Sequence, residues 1–136
     1  MIRSKRLPYF VALAAIAATA AIPAQLSAGE RRTGEQKLAK MLEGRVAGEP
    51  VSCVDTYRNR QSQIVEGAAV VYGSGRTIWV NRTARPQDLD RWDAMLTKQF
   101  GTRLCRQDIV TTFDTSTGMY TGNIFLTDFV PYTRAN

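Results

Sequence analysis

Residues 64–81 read IVEGAAVVYGSGRTIWVN, and this stretch decides the fold of the chain. Two arms, 64–72 and 77–81, are rich in apolar and β-branched residues, and the tetrapeptide Gly-Ser-Gly-Arg at 73–76 separates them. Glycine readily adopts the positive φ angles that tight hairpin turns require. The pattern therefore predicts two antiparallel strands joined by a short turn.

The same strand pattern recurs on both sides of this hairpin. Val51–Tyr57 is predicted as an earlier strand, and Ile109–Phe113 and Asn123–Val130 are predicted to form a later hairpin. Pro131 has no N–H to donate, so we expect it to confine the last strand to an edge or an end of its sheet. The predicted fold class is mainly β (α+β), with a small antiparallel sheet, sandwich or partly closed barrel and an N-terminal helix.

That helix is predicted from Glu30 to about Ala47. Apolar side chains recur at helical spacing along this segment, with charged residues largely off that line. Thr33 is the expected N-cap, and Gln36 three residues later completes a capping-box pattern. Gly48 is expected to lie beyond the end of the helix.

Residues 86–100 fit two structures. The apolar residues at positions 89, 92, 96 and 100 have helical spacing, and Pro86 suits a first helical turn. Met95–Phe100 also fits a strand that leads towards Cys105. Local pattern alone favours the helix by a narrow margin.

The pattern of the N-terminal residues predicts an export signal. Three basic residues precede an apolar, alanine-rich run from Leu7 to Ile22, and small residues follow up to Gly29. This order is typical of a secretory signal peptide, and the best cleavage point is after Ala28. Retention as a membrane anchor is the weaker alternative, because the run is short and only weakly apolar.

Cleavage divides the chain into a signal peptide at 1–28, an N-terminal helix and linker at 29–49, and a disulfide-linked β domain at 50–136. The expected location is periplasmic or secreted, with no stable membrane span after cleavage.

Cys53 and Cys105 are the only cysteines. In an oxidising compartment such a pair predicts a disulfide. A redox or nucleophilic role is disfavoured, since the chain has no C-x-x-C motif and no histidine.

Several short motifs give the chain a family resemblance, together with the leader: PVSC at 50–53, AVVY at 69–72, LCRQD at 104–108 and DFVPY at 128–132. With these motifs it resembles a group of small exported proteins of Gram-negative bacteria that have no assigned activity. The resemblance implies a compact, mainly β domain with paired cysteines. It also implies a strand at Met95–Phe100, with one helical turn left near Gln87–Trp92.

Charge and acidic residues restrict the possible functions. The formal charge of +6 falls to +3 when the three cations of the leader are removed, which gives no reason to expect a nucleic-acid partner.

Asp88, Asp90 and Asp93 form the densest acidic cluster. They lack the central glycine and terminal glutamate of a calcium loop. We predict no metal and no cofactor, and we expect these acids to favour a helix start.

Carboxylates are the remaining candidates for catalysis. Sequence spacing does not show whether any two of Asp55, Asp108, Asp114 and Asp128 converge. Asp114 is expected to shape a turn, and Asp108 is expected to accept a hydrogen bond beside Cys105. We therefore predict no catalytic residue and expect that the protein is not an enzyme.

The sequence offers one candidate binding face, made of Arg58, Arg60, Arg76, Trp79 and Arg82. Arginines with an aromatic residue suit an acidic partner. The predicted function is that of an exported binding or structural module of the bacterial envelope, whose partner is an envelope protein or an acidic glycolipid. An inhibitor of an exported hydrolase is the first alternative, and a small carboxylate-dependent hydrolase is the second.

Overall fold

The computed structural model describes residues 33–136, so the predicted signal peptide and its cleavage site lie outside the described residues. One α-helix, α1 (Gly34–Leu42), precedes the strands. The strands are β1 (Arg45–Ala47), β2 (Cys53–Asp55), β3 (Ser62–Val65), β4 (Ala69–Tyr72), β5 (Thr77–Asn81), β6 (Asp93–Thr97), β7 (Arg103–Cys105), β8 (Ile109–Asp114), β9 (Tyr120–Phe125) and β10 (Phe129–Arg134). The mainly β, antiparallel class is confirmed, and the described strands do not close into a barrel.

Three antiparallel sheets organise the domain. The largest has the strand order β1-β10-β5-β4-β3, the second has the order β6-β8-β9, and β2 pairs with β7 in a two-stranded ribbon. The predicted hairpin forms across residues 73–76, where Gly73 and Gly75 have φ angles of 84° and 86°. Tyr72 and Trp79 are its first paired residues. Glycine suits both turn positions because it has no Cβ to clash at positive φ.

The five-stranded sheet is the middle of three layers, since its two faces contribute to different clusters of buried side chains. On one face, Val71, Ile78 and Val80 pack with the fully buried Leu38 of α1. On the other face, Tyr72 and Phe129 pack with apolar side chains of β2, β7, β8 and β9. Alternation of side chains along each strand provides both faces from a single sheet.

The helix is shorter than predicted. The predicted N-cap and capping box are confirmed, because the Thr33 side chain accepts from the Gln36 N–H and the Gln36 side chain accepts from the Thr33 N–H. Its end at Leu42 corrects the expected boundary near Ala47. Gly44 has a φ of 71°, which turns the chain so that residues 45–47 pair with β10 as a strand.

Residues 64–72 do not form one strand, which corrects a second prediction. Gly67 has a φ of 70°, and the Ala68 N–H donates to the Val65 carbonyl across a tight turn. β3 and β4 therefore form a hairpin of their own, with Val65 paired to Ala69. Gly67 was the local signal for this turn.

The last predicted strand, Asn123–Val130, is likewise divided. β9 ends at Phe125 and β10 begins at Phe129, and the two strands belong to different sheets. The predicted pairing of β8 with residues from 123 onward is confirmed for β9, in which Thr111 lies opposite Asn123. The division arises because the chain crosses from the three-stranded sheet to the five-stranded sheet.

The prediction that Pro131 confines the last strand to an edge or an end is wrong, because Pro131 lies inside β10, which has β1 on one side and β5 on the other. The Pro131 carbonyl accepts from the Gly48 N–H at 2.7 Å, just beyond the last paired residue of β1, Ala47. The N and O atoms of a strand residue face the same neighbour. The N–H that Pro131 lacks would therefore point to the side of β1, at a position where β1 has already ended. All hydrogen bonds between β10 and β5 can still form.

Residues 86–97 contain a helical turn followed by a strand, as the resemblance implied, but the strand begins before Met95 and ends before Phe100. A 3-10 turn covers Pro86–Asp88, and β6 covers Asp93–Thr97. The predicted strand Val51–Tyr57 is shorter than expected, because β2 contains only Cys53–Asp55 and Val51 makes a separate bridge to Phe129. Within residues 33–136, no helix has the length and apolar character needed to cross a membrane.

Candidate functional site

Cys53 and Cys105 form the predicted disulfide. They face each other in the register of β2 and β7, with Cα atoms 3.9 Å apart and an S–S distance of 2.05 Å. The bond closes a loop with a sequence separation of 52 and thereby ties the ribbon together. Such a disulfide is compatible with an oxidising, extracytoplasmic compartment.

The five residues of the candidate binding face lie on different surfaces. The Arg82 guanidinium makes an ion pair with Glu35 of α1 at 2.7 Å. Trp79 is half-buried and packs against the cluster on the opposite face of the five-stranded sheet. The structure therefore does not bring Trp79 together with Arg82.

The other three members of the face lie near one end of the five-stranded sheet. Arg58 is exposed in the loop after β2, where its N–H donates to Asp55. The Arg60 guanidinium lies over the Tyr57 ring, 4.6 Å from its centroid. Arg76 belongs to the β4–β5 turn and bonds to the side chain of Asn136. Of the five predicted residues, Arg60 lines the groove described next.

A basic groove lies at this end of the five-stranded sheet. It occupies about 990 Å³ between the C-terminal end of α1, the ends of β3 and β4, and the β4–β5 turn. Its basic side chains are Lys40, Arg45, Arg60 and Arg134, and its one carboxylate is Glu43. A volume of this size is at the upper end of the range for small-ligand sites.

The groove has an apolar floor and a polar wall. Val71 and Ile78 are buried at its floor, and Met41 is partly buried beside them. The wall contains Gln61, Ser62 and Gln63, which are exposed. Ser62 and Gln63 belong to β3, which is an edge strand of the five-stranded sheet.

Arg45 holds the groove together through backbone carbonyl groups. Its Nε donates to the Met41 carbonyl at 3.2 Å, and its Nη2 donates to the Gly75 carbonyl at 2.8 Å. Its Nη1 donates to the carbonyls of Arg76 at 2.7 Å and Tyr132 at 3.4 Å. One side chain thus joins the last turn of α1, the β4–β5 turn and β10. A cation at this end of a helix also interacts favourably with the helix dipole.

The basic side chains of the groove keep an uncompensated positive charge. Desolvation and the nearby charge of Arg134 lower the pKa of Arg45, which remains protonated at neutral pH. Within residues 33–136, the ion pairs involve other residues, so no described carboxylate lies within 4.0 Å of the cationic groups of Lys40, Arg60 or Arg134. A concave surface lined by one sign of charge concentrates the electrostatic potential.

Asp114 shapes the β8–β9 turn, as predicted. Its Oδ1 accepts from the Ser116 N–H at 2.9 Å and from the Thr117 N–H at 2.7 Å, and it also accepts from both hydroxyl groups. These hydrogen bonds, that of the Ser116 side chain above all, lower the pKa of Asp114 to about 2. Hydrogen bonds to a carboxylate favour its ionised form.

The other candidate catalytic carboxylates have local partners as well. Asp108 accepts from the Cys105 N–H at 2.7 Å, which confirms the hydrogen bond expected beside the cysteine. Asp128 makes an ion pair with Arg106 at 3.1 Å. Asp55 accepts from a backbone N–H three residues later. These bonds support turns and strand ends.

The acidic cluster after β5 is also divided among separate partners. Asp88 pairs with Arg85 at 3.0 Å, Asp90 accepts from a backbone N–H, and Asp93 accepts from the Thr121 hydroxyl. In the part of the chain that the structure describes, no three potential metal ligands are grouped together.

Fold and site together define a small, disulfide-linked, mainly β domain with a basic groove beside its only described helix. In comparisons with known proteins, the chain matches no family model, no curated protein and no solved structure.

Sequence reasoning missed most of the groove. The predicted helix includes Arg45, and no sequence pattern connects Lys40 and Arg134 with Arg60. These residues are far apart in the chain, and the pairing of β1 with β10 brings Arg45 opposite Arg134. Gly44, directly before Arg45, is the one local signal that the helix ends before Arg45.

Proposed function

We propose that this protein is an exported binding module of the bacterial envelope, and that its basic groove binds an acidic segment of a partner protein. The observation that carries the proposal is the convergence of four basic side chains and one carboxylate on a single groove. The signal-peptide pattern and the disulfide support export.

An acidic ligand fits the charge of the groove. One exposed ion pair contributes little, about 0.2–1 kcal/mol, because water and salt screen it. Several cations around one concave surface act together, and they also increase the association rate of an anion. Because Arg45 is already bonded to four carbonyl groups, Lys40, Arg60 and Arg134 are the cations left to contact the ligand.

A peptide segment suits the groove better than a glycolipid does. β3 pairs only with β4 among the described strands, so its outer edge offers backbone donors and acceptors next to the groove. Extended peptides bind to such edges by adding a strand. The apolar floor is buried and leaves no broad surface for an acyl chain.

The test is binding of a fluorescent glutamate-rich decapeptide, compared with the same peptide carrying glutamine in place of glutamate. We expect binding of the acidic peptide alone, and weakening as salt rises from 50 to 500 mM. A Lys40→Gln, Arg60→Gln, Arg134→Gln triple variant should weaken binding at least tenfold. The matched control is an Arg91→Gln, Lys98→Gln, Arg103→Gln triple variant, which removes the same charge outside the groove.

Two results would overturn the proposal. One is equal weakening by both triple variants, which would show an effect of net charge alone. The other is binding to anionic phosphatidylglycerol vesicles with no binding to the acidic peptide, which would assign the groove to a lipid headgroup.

One observation favours a second candidate function, inhibition of an exported hydrolase. Phe100 is fully exposed in the loop between β6 and β7. Thr56 secures this loop, because its N–H and its hydroxyl both donate to the Thr102 carbonyl, at 2.8 and 2.9 Å. The Thr56 hydroxyl also bonds to the Gln99 side chain. An apolar side chain on a secured loop suits insertion into the cleft of a partner.

The second candidate is tested by adding the protein in micromolar amounts to purified secreted serine proteases and lysozymes. Inhibition that Phe100→Ala removes, while Lys98→Ala retains it, would support an inhibitory loop. Full activity of every enzyme in the panel would count against it. Binding of the acidic peptide should be the same in Phe100→Ala as in the wild-type protein, so the two candidates are distinguishable.

A further inference from the structure

Exposed apolar side chains are concentrated on one sheet. Most of the large apolar side chains that the described residues expose belong to β6, β8, β9 and their flanking turns. They are Trp92, Leu96, Phe100, Ile109, Met119, Tyr120 and Phe125. Scattered exposed apolar residues are normal on a protein surface, whereas a contiguous apolar patch marks an interaction site.

Strand register shows which of these residues share a surface. Ile109 lies opposite Phe125 at one end of the sheet, and Phe113 lies opposite Tyr120 at the other. Leu96 of β6 is in the middle, opposite Thr111. Met95, Val110 and Ile124 alternate with these residues and face the core. The outer face of the three-stranded sheet is therefore formed by Ala94, Leu96, Ile109, Thr111, Phe113, Tyr120, Asn123 and Phe125.

None of the strand residues of this outer face is charged, and most of their side chains are apolar. One cation lies at its edge, where the Arg85 guanidinium is 5.9 Å from the centroid of the Phe125 ring. Antiparallel sheets that have one face in water usually place polar residues there. The composition of the outer face is instead typical of the core of a protein interface, which is poor in charge and rich in aromatic side chains.

We propose that the outer face packs against the outer face of a second copy of this chain, forming a two-fold symmetric dimer. The uncharged strand residues create no repulsion between two like copies, and Arg85 lies at only one end of each outer face. Aromatic side chains lie at both ends, with Leu96 between them. A two-fold axis perpendicular to the strands brings the Phe125 end of one copy against the Tyr120 end of the other, and such interfaces must be self-complementary. The Phe113 and Tyr120 rings are already in edge contact within one copy, with centroids 6.2 Å apart.

The available area is sufficient for a weak dimer. Half-exposed side chains of this size each present on the order of 100 Å², so the outer face offers about 600 Å² per copy. Two copies then bury roughly 1,200 Å², which is the lower end of the range for specific interfaces. A dimer with an interface of this size should dissociate on dilution.

The dimer is independent of the proposed function. α1 and the basic groove lie on one side of the five-stranded sheet, and the three-stranded sheet packs on the other. Pairing of outer faces leaves both grooves open. Raising the salt concentration weakens binding in the groove but should not weaken an apolar interface, so the failure of one proposal is distinguishable from the failure of the other.

The experiment is sedimentation equilibrium on the oxidised protein from 2 to 300 μM. The wild-type protein should shift from monomer towards dimer mass with concentration, equally at 50 and 500 mM NaCl. Leu96→Glu should raise the dimer dissociation constant at least tenfold. Val46→Glu is the matched control, because Val46 is 63 % exposed on β1, away from the outer face, and Leu96 is 53 % exposed.

Ile109→Thr is a second variant, and it keeps a β-branched residue in its strand. It allows the proposal to be tested even if Leu96→Glu fails to fold. It should also weaken the dimer. A wild-type protein that is monomeric throughout this range, or a dimer unaffected by both variants, would overturn the proposal. The proposal would also be overturned if the monomer bound to neutral phosphatidylcholine vesicles and Leu96→Glu abolished that binding, since a membrane would then cover the outer face.

Discussion

The side-chain amide of Asn81 pairs with the backbone of Thr127 much as a neighbouring strand would. Asn81 Nδ2 donates to the Thr127 carbonyl at 2.7 Å, and Asn81 Oδ1 accepts from the Thr127 N–H at 3.0 Å. The same Oδ1 accepts from the Thr83 N–H at 3.0 Å. Asn81 is fully buried, so it joins the end of β5 to the β9–β10 connection where water does not compete.

Replacing Asn81 should therefore be costly. Asn81→Ala leaves two backbone N–H groups and one carbonyl without partners, and each unpaired buried group costs about 1–3 kcal/mol. We expect a loss of about 3 kcal/mol in the free energy of unfolding, measured by urea denaturation. Asn136→Ala, at the exposed C-terminal end, is the control and should change stability by less than about 0.5 kcal/mol. Equal stability of the two variants would contradict this account of Asn81.

Breaking the Cys53–Cys105 bond should lower the free energy of unfolding by about 4 kcal/mol. The bond closes a loop in the unfolded chain and so reduces the entropy that the chain gains when it unfolds. For a domain of this size the melting temperature should fall by roughly 15–30 °C. The measurement is thermal unfolding with and without dithiothreitol. The Cys53→Ala, Cys105→Ala double variant should melt at the reduced temperature and show no response to the reductant. An unchanged melting temperature after verified reduction would refute this prediction.

Asp114 should contribute to stability in a defined acid range. Its folded pKa of about 2 lies below the unfolded value near 3.9, so its contribution is complete above about pH 4 and is lost as the pH falls towards 2. A carboxyl ¹³C NMR titration should place its midpoint near pH 2. Asp114→Asn should remove this part of the acid dependence. Asp90→Asn is the control, because the Asp90 carboxylate accepts a single described hydrogen bond, from the Trp92 N–H.

Tyr72 should be replaceable by phenylalanine without loss of stability. Its ring packs against Phe129, but its buried hydroxyl has no hydrogen-bond partner among the described residues. Removing an unpaired buried hydroxyl is neutral or stabilises by about 1 kcal/mol. Destabilisation of Tyr72→Phe by more than 1 kcal/mol in urea would show that the hydroxyl has a partner.

Alkaline pH provides an independent check on Tyr72. Burial raises the pKa of its phenol, so the stability it contributes is complete below about pH 10 and falls as the pH rises further. Tyr72→Phe should lose less stability between pH 9 and pH 11.5 than the wild-type protein. Tyr120→Phe, whose hydroxyl group is on an exposed residue, should behave like the wild-type protein.

Elements that depend on neighbouring residues could be predicted from the sequence. The capping box needs only Thr33 and Gln36, and the β4–β5 turn needs only its glycines, so both were correct. The same kind of local chemistry at Gly67 was overlooked, because the apolar run on both sides of it resembled one long strand. The crossing from β9 to β10 has no local signal of comparable strength.

The candidate site was less predictable because its parts come from distant segments. Arg60 was identified as a binding residue, but its neighbours in the groove depend on the pairing of β1 with β10 and on the position of α1. Trp79 and Arg82 are close together in sequence, but successive residues of an extended chain face opposite sides of a sheet. Trp79 packs on the side of the three-stranded sheet, whereas Arg82, directly after β5, pairs with Glu35 of α1. Arg45 has its role only because three carbonyl-bearing segments meet around it.

The place of β10 in the five-stranded sheet has a consequence for the order in which the molecule can fold. β10 is the last strand in the described chain, yet it lies between β1 and β5 and is the only described strand that pairs with β1. No nascent fragment that ends before Phe129 can complete this sheet, and contacts so distant in sequence form slowly. The five-stranded sheet can therefore be completed only after the segment up to Arg134 has been made. The ribbon of β2 and β7, which holds Cys53 opposite Cys105, pairs without β10 and can form before that sheet is complete.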